Sequence, residues 1–94
     1  MSKQFIKQIK TATKAVQLKE DKKARSTDII VYMQTTKDRN AAYDNLIRFF
    51  KSKKIKYTEK KSSKSSLGVI NVDGYEGDII FKPLQSHRLS MTSS

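Results

Sequence analysis

The amino-acid sequence predicts an α+β protein in which an N-terminal amphipathic helix is followed by a β-α-β-β-β unit. Apolar residues recur at i, i+3, i+4 and i+7 across residues 40–52, which is the period of a helix packed on one side. Short apolar or alternating runs of strand length lie before and after that segment. We therefore expect a small mixed sheet of four strands, with the helix at 40–52 on one of its faces.

Residues 1–19 predict an amphipathic basic helix. At about 100° per residue, Phe5, Ile9 and Val16 fall on one side and the lysines fall on the other. The charged segment 20–27 has no apolar period and is predicted to be a linker. The first helix is then expected to stand as a free arm, or to dock on the sheet face that the second helix leaves open.

Residues 28–84 are expected to form the compact domain, and the Ser-rich tail at 85–94 is expected to be disordered. A right-handed β-α-β crossover would make the first two strands parallel, and Asp73-Gly74 marks an antiparallel hairpin connection between the last two. The expected elements are a strand at 28–34, the helix at 40–52, and strands at 54–59, 67–72 and 78–82.

Charge is the strongest functional signal in the chain. Twenty Lys and Arg stand against nine Asp and Glu, a formal net charge of +11, and so large an excess on a small body indicates a polyanionic or acidic partner. The residues predicted to contact nucleic acid are Lys51, Lys53, Lys54, Lys56, Lys60, Lys61 and Lys64, together with Arg39 and Arg48. A second basic face is predicted on the first helix at Lys3, Lys7, Lys10 and Lys14.

These lysines favour a nucleic-acid-binding protein with little sequence preference, because Lys acts as a point charge on phosphates and reads base edges poorly. Tyr57 stands among them and either packs in the core or faces outward, where it could stack on an unpaired base. The alternative is a protein-interaction module that binds an acidic or nucleic-acid-processing host protein. The pattern does not separate DNA from RNA or single from double strands, and it leaves the oligomeric state open.

The sequence predicts neither an enzyme nor a cofactor. His87 is the only histidine and lies in the predicted tail, Cys is absent, and no Gly-rich phosphate loop is present. Asp73, Asp78 and Lys82 form the best catalytic set, but Asp78 and Lys82 would lie about 13 Å apart along one strand. We therefore expect no catalytic residue and no metal site, and keep a degenerate or active metal-dependent nuclease as a second alternative.

The predicted location is the cytoplasm. The chain has no cysteine, no apolar run near the roughly 18 residues of a spanning helix, and no continuous apolar core at its start. Its basic, amphipathic beginning is also typical of a mitochondrial transit peptide, although such peptides are rich in Arg and this stretch has none before Arg25.

The stretch KKSSKSSLGVINVDGYEGDIIFKPL at residues 60–84 resembles segments of small and mid-sized tailed-bacteriophage proteins, most of them uncharacterised. Within it, GVINVDG followed by DIIFK is similar to the central hairpin of the restriction-endonuclease-like nuclease fold. That fold places an acid two residues before the lysine of its second catalytic strand, where this chain has Ile80 before Lys82. Asn71 stands where the first aspartate would fall, so the resemblance implies a phage accessory protein that binds without cutting.

Overall fold

The computed structural model describes residues 3–61 and 68–84, which fold into two helices and one mixed sheet of five strands. The elements are α1 (Lys3–Thr13), β1 (Gln17–Lys22), β2 (Thr27–Met33), α2 (Thr36–Ser52), β3 (Tyr57–Lys61), β4 (Gly68–Val72) and β5 (Ile79–Pro83). The α+β class is confirmed, but the predicted count of four strands is wrong. The predicted tail at 85–94 lies outside the described residues.

The additional strand is β1, which occupies the end of the predicted helix and the first three residues of the predicted linker at 20–27. Helix α1 ends at Thr13, and β1 then pairs antiparallel with β2 along its whole length. Only Leu18 and Asp21 in β1 are partly buried, so its side chains show almost no apolar alternation. Backbone hydrogen bonds to β2 specify this edge strand, which is why a search for apolar periods misses it.

The strands lie in the order β1-β2-β5-β4-β3. The two strands joined by the β-α-β crossover, β2 and β3, are therefore not neighbours in the sheet. β2 and β3 run in the same direction, but β5 and β4 lie between them. β5 is the parallel neighbour of β2, and it also pairs antiparallel with β4, which confirms the predicted hairpin. The apolar runs of β2 and β5 suit central positions, whereas the charged β3 suits an edge.

Both helices contribute to a single core on one face of the sheet. α1 packs on α2 and adds Ile9 to that core, so the expectation that α1 covers the opposite face is wrong. Successive strand residues alternate between faces, and Ile30 and Val69 therefore point away from this core. The buried cluster comprises Ile9, Ile29, Val31, Met33, Ala42, Tyr43, Leu46, Phe50, Ile70, Val72, Ile79 and Phe81.

A polar clamp at Asp28 ties the β1–β2 connection to the start of β5. The Asp28 side chain is 7% exposed, and its carboxylate accepts hydrogen bonds from Lys23 Nζ and from the backbone N–H of Asp78, both at 2.8 Å. The hydrogen bond and charge of Lys23, together with the Asp78 N–H, hold the pKa of Asp28 below its ordinary value. The clamp therefore stabilises the fold only while this carboxylate is ionised.

Asp28→Asn should lower the free energy of unfolding by about 1–2 kcal/mol at pH 7, because a charge-assisted hydrogen bond is lost in a buried setting. A lowered folded-state pKa gives stability that is present above the unfolded value of about 3.9 and is lost as pH falls through the folded value. Urea unfolding at pH 7 and at an acid pH below the unfolded value of about 3.9 should therefore show a difference at the first pH that is smaller at the second.

The exposed turn residue Asp73 provides the control for this measurement. Asp73→Asn should leave stability within about 0.5 kcal/mol at both pH values, as expected for a surface substitution. An Asp28→Asn effect that is equally large in acid would show that the clamp does not depend on the charge of the carboxylate.

Candidate nucleic-acid interface

Four aromatic rings join three separate segments of the chain at one end of the molecule. Phe50 of α2 is fully buried, and its ring lies 6.2 Å from Phe5 of α1, 6.0 Å from Phe49 and 5.6 Å from Tyr57 of β3, between centroids. Such separations are typical of packed aromatic pairs. The start of α1, the end of α2 and the start of β3 are therefore held against one another.

The start of α1 and the stretch from the end of α2 to the start of β3 also carry exposed lysines that are close in sequence to the aromatic residues. Lys3 and Lys7 each lie two positions from Phe5, Lys51 follows Phe50, and the others lie between Phe50 and Tyr57. Since consecutive Cα atoms are about 3.8 Å apart, the backbones of these lysines stay close to the joined rings. We call this surface the basic end, defined by Lys3, Lys7, Lys51, Lys53, Lys54 and Lys56.

The positive charge of the basic end is not balanced by the ion pairs that the structure describes. Those pairs join Lys23 to Asp28 at 2.8 Å and Lys60 to Asp78 at 3.1 Å, and neither uses a lysine of the basic end. Residues 1–19 and 45–58 contain no Asp or Glu at all. The fields of these lysines therefore add, and the summed potential attracts anions.

Asp73 is the carboxylate that approaches this region from the β4–β5 connection. Its backbone N–H donates to the carbonyl of Lys56 at 3.0 Å, and both residues line a shallow polar groove along the start of β3. Its side chain forms no ion pair with the described residues. Asp73 can offset only one of the six positive charges of the basic end, which therefore stays positive.

The structure places the remaining lysines of the predicted 51–64 site differently. Lys60 is paired with Asp78 on the sheet face opposite the helices, so its charge is largely balanced there. Lys61 is exposed near the end of β3, where its carbonyl accepts a hydrogen bond from Tyr43 Oη at 3.1 Å. Lys64 lies outside the described residues, so its place in the site stays a prediction.

Arg39 does not belong to the surface, in contrast to the prediction. It is 1% exposed, lies on the inner face of α2 and donates to the side chain of Asn40. Burial lowers the pKa of its guanidinium, because desolvation disfavours the charged form. Arg48 is exposed on α2, as predicted for a contact residue, and donates to Asn45 Oδ1 at 3.4 Å.

The lysines of the second predicted basic face are exposed along α1, but they fall into two pairs at different ends of the helix. Lys3 and Lys7 join the basic end, while Lys10 and Lys14 lie towards the other end of the helix. Lys14 directly follows α1 with a φ of 55°, and its N–H donates to the Lys10 carbonyl at 2.8 Å. The two basic groups of the sequence are thus brought together only in part.

Tyr57 packs inward, so of the two expectations for this residue the core position is confirmed. Its ring contacts Phe50 and lies partly buried against the central cluster. The aromatic residue that sequence reasoning missed is Phe49, which is only partly buried and lines a shallow groove between α1 and α2. The adjacent pair Phe49-Phe50 was the available signal, because at about 100° per residue both rings cannot face one core.

The three residues weighed for metal-dependent cleavage do not form a cluster. Asp73 is exposed in a turn, while Asp78 accepts hydrogen bonds from Lys60 and Asn71. Lys82 is partly buried on β5. Residues 3–61 and 68–84 contain no group of three or more side chains of the kind that could hold a metal ion. His87 lies beyond the described range, and the absence of enzymatic activity stays a prediction.

Comparisons with protein-family models, with curated proteins and with solved structures found no match. The resemblances of residues 60–84 to phage proteins and to the restriction-endonuclease-like fold therefore gain no support and stay predictions. Neither helix in the described part of the chain has the length and apolar character needed to cross a membrane.

Two lysines occupy backbone positions that favour glycine. After α2, Lys54 has a φ of 57°, and the helix closes with hydrogen bonds from Ile55 N–H to the Phe50 carbonyl and from Lys54 N–H to the Lys51 carbonyl, at 2.8 and 3.2 Å. This pair of bonds forms the Schellman motif, in which the left-handed residue is usually Gly. Lys14, with its φ of 55°, ends α1 in the same region of backbone space.

Lys54→Gly should raise the free energy of unfolding by about 0.5–1 kcal/mol, because it removes the left-handed penalty of a residue that has a Cβ atom. Lys53→Gly removes the same charge one position earlier, where φ is −97°, and should bring no gain. Thermal or urea unfolding of the two variants decides the matter. Equal stabilisation by both would mean that relief of charge repulsion, not backbone conformation, is the cause.

Phe5→Ala should release the start of α1 and lower the free energy of unfolding by about 2 kcal/mol, below the range for a fully buried Phe because Phe5 is only partly buried. Amide hydrogen exchange in α1 should accelerate more than exchange in β2. Lys3→Ala, which removes an exposed side chain from the same turn, is the control. Unchanged exchange in α1 of the Phe5 variant would mean that the ring contact does not hold the helix.

Proposed function

We propose that this protein binds nucleic acid through the basic end, by contacts to phosphates that carry little sequence preference. The observation that supports this most directly is that two stretches of the chain with exposed lysines, 3–7 and 51–56, are joined through the ring contact of Phe5 with the buried Phe50. Neutralising phosphates with lysines releases condensed counterions, which supplies affinity without reading bases. We also propose the cytoplasm as the location of this binding, as the absence of cysteine favours.

Local electrostatics support a ligand for these lysines. Lys51 and Lys53 at the end of α2 are favourable to the helix dipole, so their presence has a purely structural explanation. The helix dipole gives no structural explanation for Lys3, because the first turn of α1 contains no acid and a cation there opposes the positive end of the dipole. Lys54 likewise occupies a backbone position where glycine would be more stable.

The composition of the basic end supports binding with little sequence preference. Specific reading of base pairs relies on planar, bidentate groups such as Arg, Asn and Gln, whereas all six residues here are lysines. Their ammonium groups make adjustable contacts with phosphate oxygens. If all six contacted phosphates of a duplex, log K would fall with log salt with a slope of about −5.

Replacing Lys51, Lys53 and Lys56 together by Gln should lower the affinity for a fluorescent 20-nucleotide ligand by about 100-fold at 0.1 M salt, and should flatten the salt dependence by roughly three contacts. The matched control replaces Lys19, Lys22 and Lys37, which are also exposed but lie on β1 and at the start of α2. Fluorescence anisotropy against salt concentration measures both effects.

Equal losses in the two triple variants would contradict a localised interface and leave only the net charge of the molecule. A pull-down distinguishes an acidic protein partner from nucleic acid. If the parent protein binds no nucleic acid but retains a specific protein from nuclease-treated lysate, and the Lys51, Lys53 and Lys56 variant loses it, the basic end serves an acidic protein instead.

A further inference from the structure

A shallow groove between the two helices opens beside the basic end. It has a volume of about 280 Å³ and a mainly apolar wall, with Phe49 of α2 on one side and Ala12 of α1 on the other. The remaining lining residues are polar: Gln4, Lys7, Gln8 and Thr11. This volume is slightly below that of typical pockets for drug-sized ligands, so the groove suits one small planar group.

We infer that this groove receives an unpaired nucleobase, so that the ligand of the basic end is single-stranded nucleic acid; the inference rests on the proposed function. Lys7 belongs both to the groove and to the basic end. An ammonium group at the rim of an apolar, aromatic-walled groove matches a nucleotide, in which an anionic phosphate lies close to a flat base.

The side chains that line the groove fit this occupant. Phe49 is partly buried at the margin of α2, so part of its ring remains accessible for stacking. Gln4 and Gln8 lie one helical turn apart, and each amide can both donate to and accept from a base edge. The Thr11 hydroxyl already donates its hydrogen to the Lys7 carbonyl at 3.0 Å, so it is not counted as a donor to the base.

Two competing occupants fit less well. Bases inside a duplex are stacked on their neighbours and cannot enter a side groove unless they are flipped out. An amphipathic helix from a protein partner needs apolar anchors over two turns, whereas this groove offers a single aromatic wall on a volume of about 280 Å³. One extruded base per binding site therefore accounts for both the size and the chemistry of the groove.

The chain contains no tryptophan, so Phe49→Trp would place a unique fluorescent ring in the groove. Titration with a single-stranded 20-nucleotide oligomer should quench this fluorescence, because a stacked base contacts the indole directly. A duplex of the same length and inorganic polyphosphate should bind the basic end with little quenching. Tyr32→Trp, on the sheet face opposite the helices, is the control and should show no quenching with any ligand.

Phe49→Leu keeps an apolar side chain but removes the stacking surface. Its affinity for the single strand should fall by about 5- to 150-fold, the range for loss of one base–aromatic contact, while its duplex affinity stays within about twofold. Gln4→Ala with Gln8→Ala, both at the surface of α1, should also weaken single-strand binding selectively. This double variant tests the same groove without changing Phe49, in case Phe49→Leu disturbs the fold.

The outcomes separate the two proposals. Equal effects of these variants on single and double strands, or equal quenching of the Phe49→Trp variant by polyphosphate, would overturn the base-binding groove and leave phosphate binding at the basic end intact. Failure of the parent protein to bind either nucleic acid would overturn the proposed function itself.

Discussion

The packing of Phe50 against Phe5, Phe49 and Tyr57 is the contact on which the rest of this molecule depends. It attaches the start of α1, and it positions the end of α2 beside β3. The apolar stripe of α1 is small, and a helix of 11 residues is marginal when isolated. Together with the burial of Ile9, this contact holds the lysines of α1 and those of residues 51–56 on one body.

That packing works against the electrostatic repulsion between the lysines that it brings together. Bringing like charges together on a small domain destabilises it, and only apolar contact beneath them offsets the repulsion. Lys54, held in a left-handed conformation, adds a smaller local penalty. The molecule thus retains charge at positions where neutral residues or glycine would be more stable, and the polyanionic ligand that we propose would relieve this repulsion.

Local patterns predicted α2 and the hairpin of β4 and β5, because those elements follow from periodicity and turn chemistry. They did not predict β1 or the central position of β5, which depend on pairing between distant segments. Arg39 was misplaced although a signal existed, since it lies four and seven residues before the core residues Tyr43 and Leu46. The approach of the start of α1 to the end of α2 could not be predicted, because it arises from tertiary contact between the rings of Phe5 and Phe50.

The most direct test of this account is the proximity of the Phe5 and Phe50 rings in solution, measured by nuclear Overhauser effects in the uniformly labelled protein. We expect clear ring-to-ring effects, together with slow amide exchange in the first turns of α1 after Phe5. Absence of these effects, with rapid exchange throughout α1, would show that the helix moves as a free arm. The basic end and the groove beside it would then not exist as a single site.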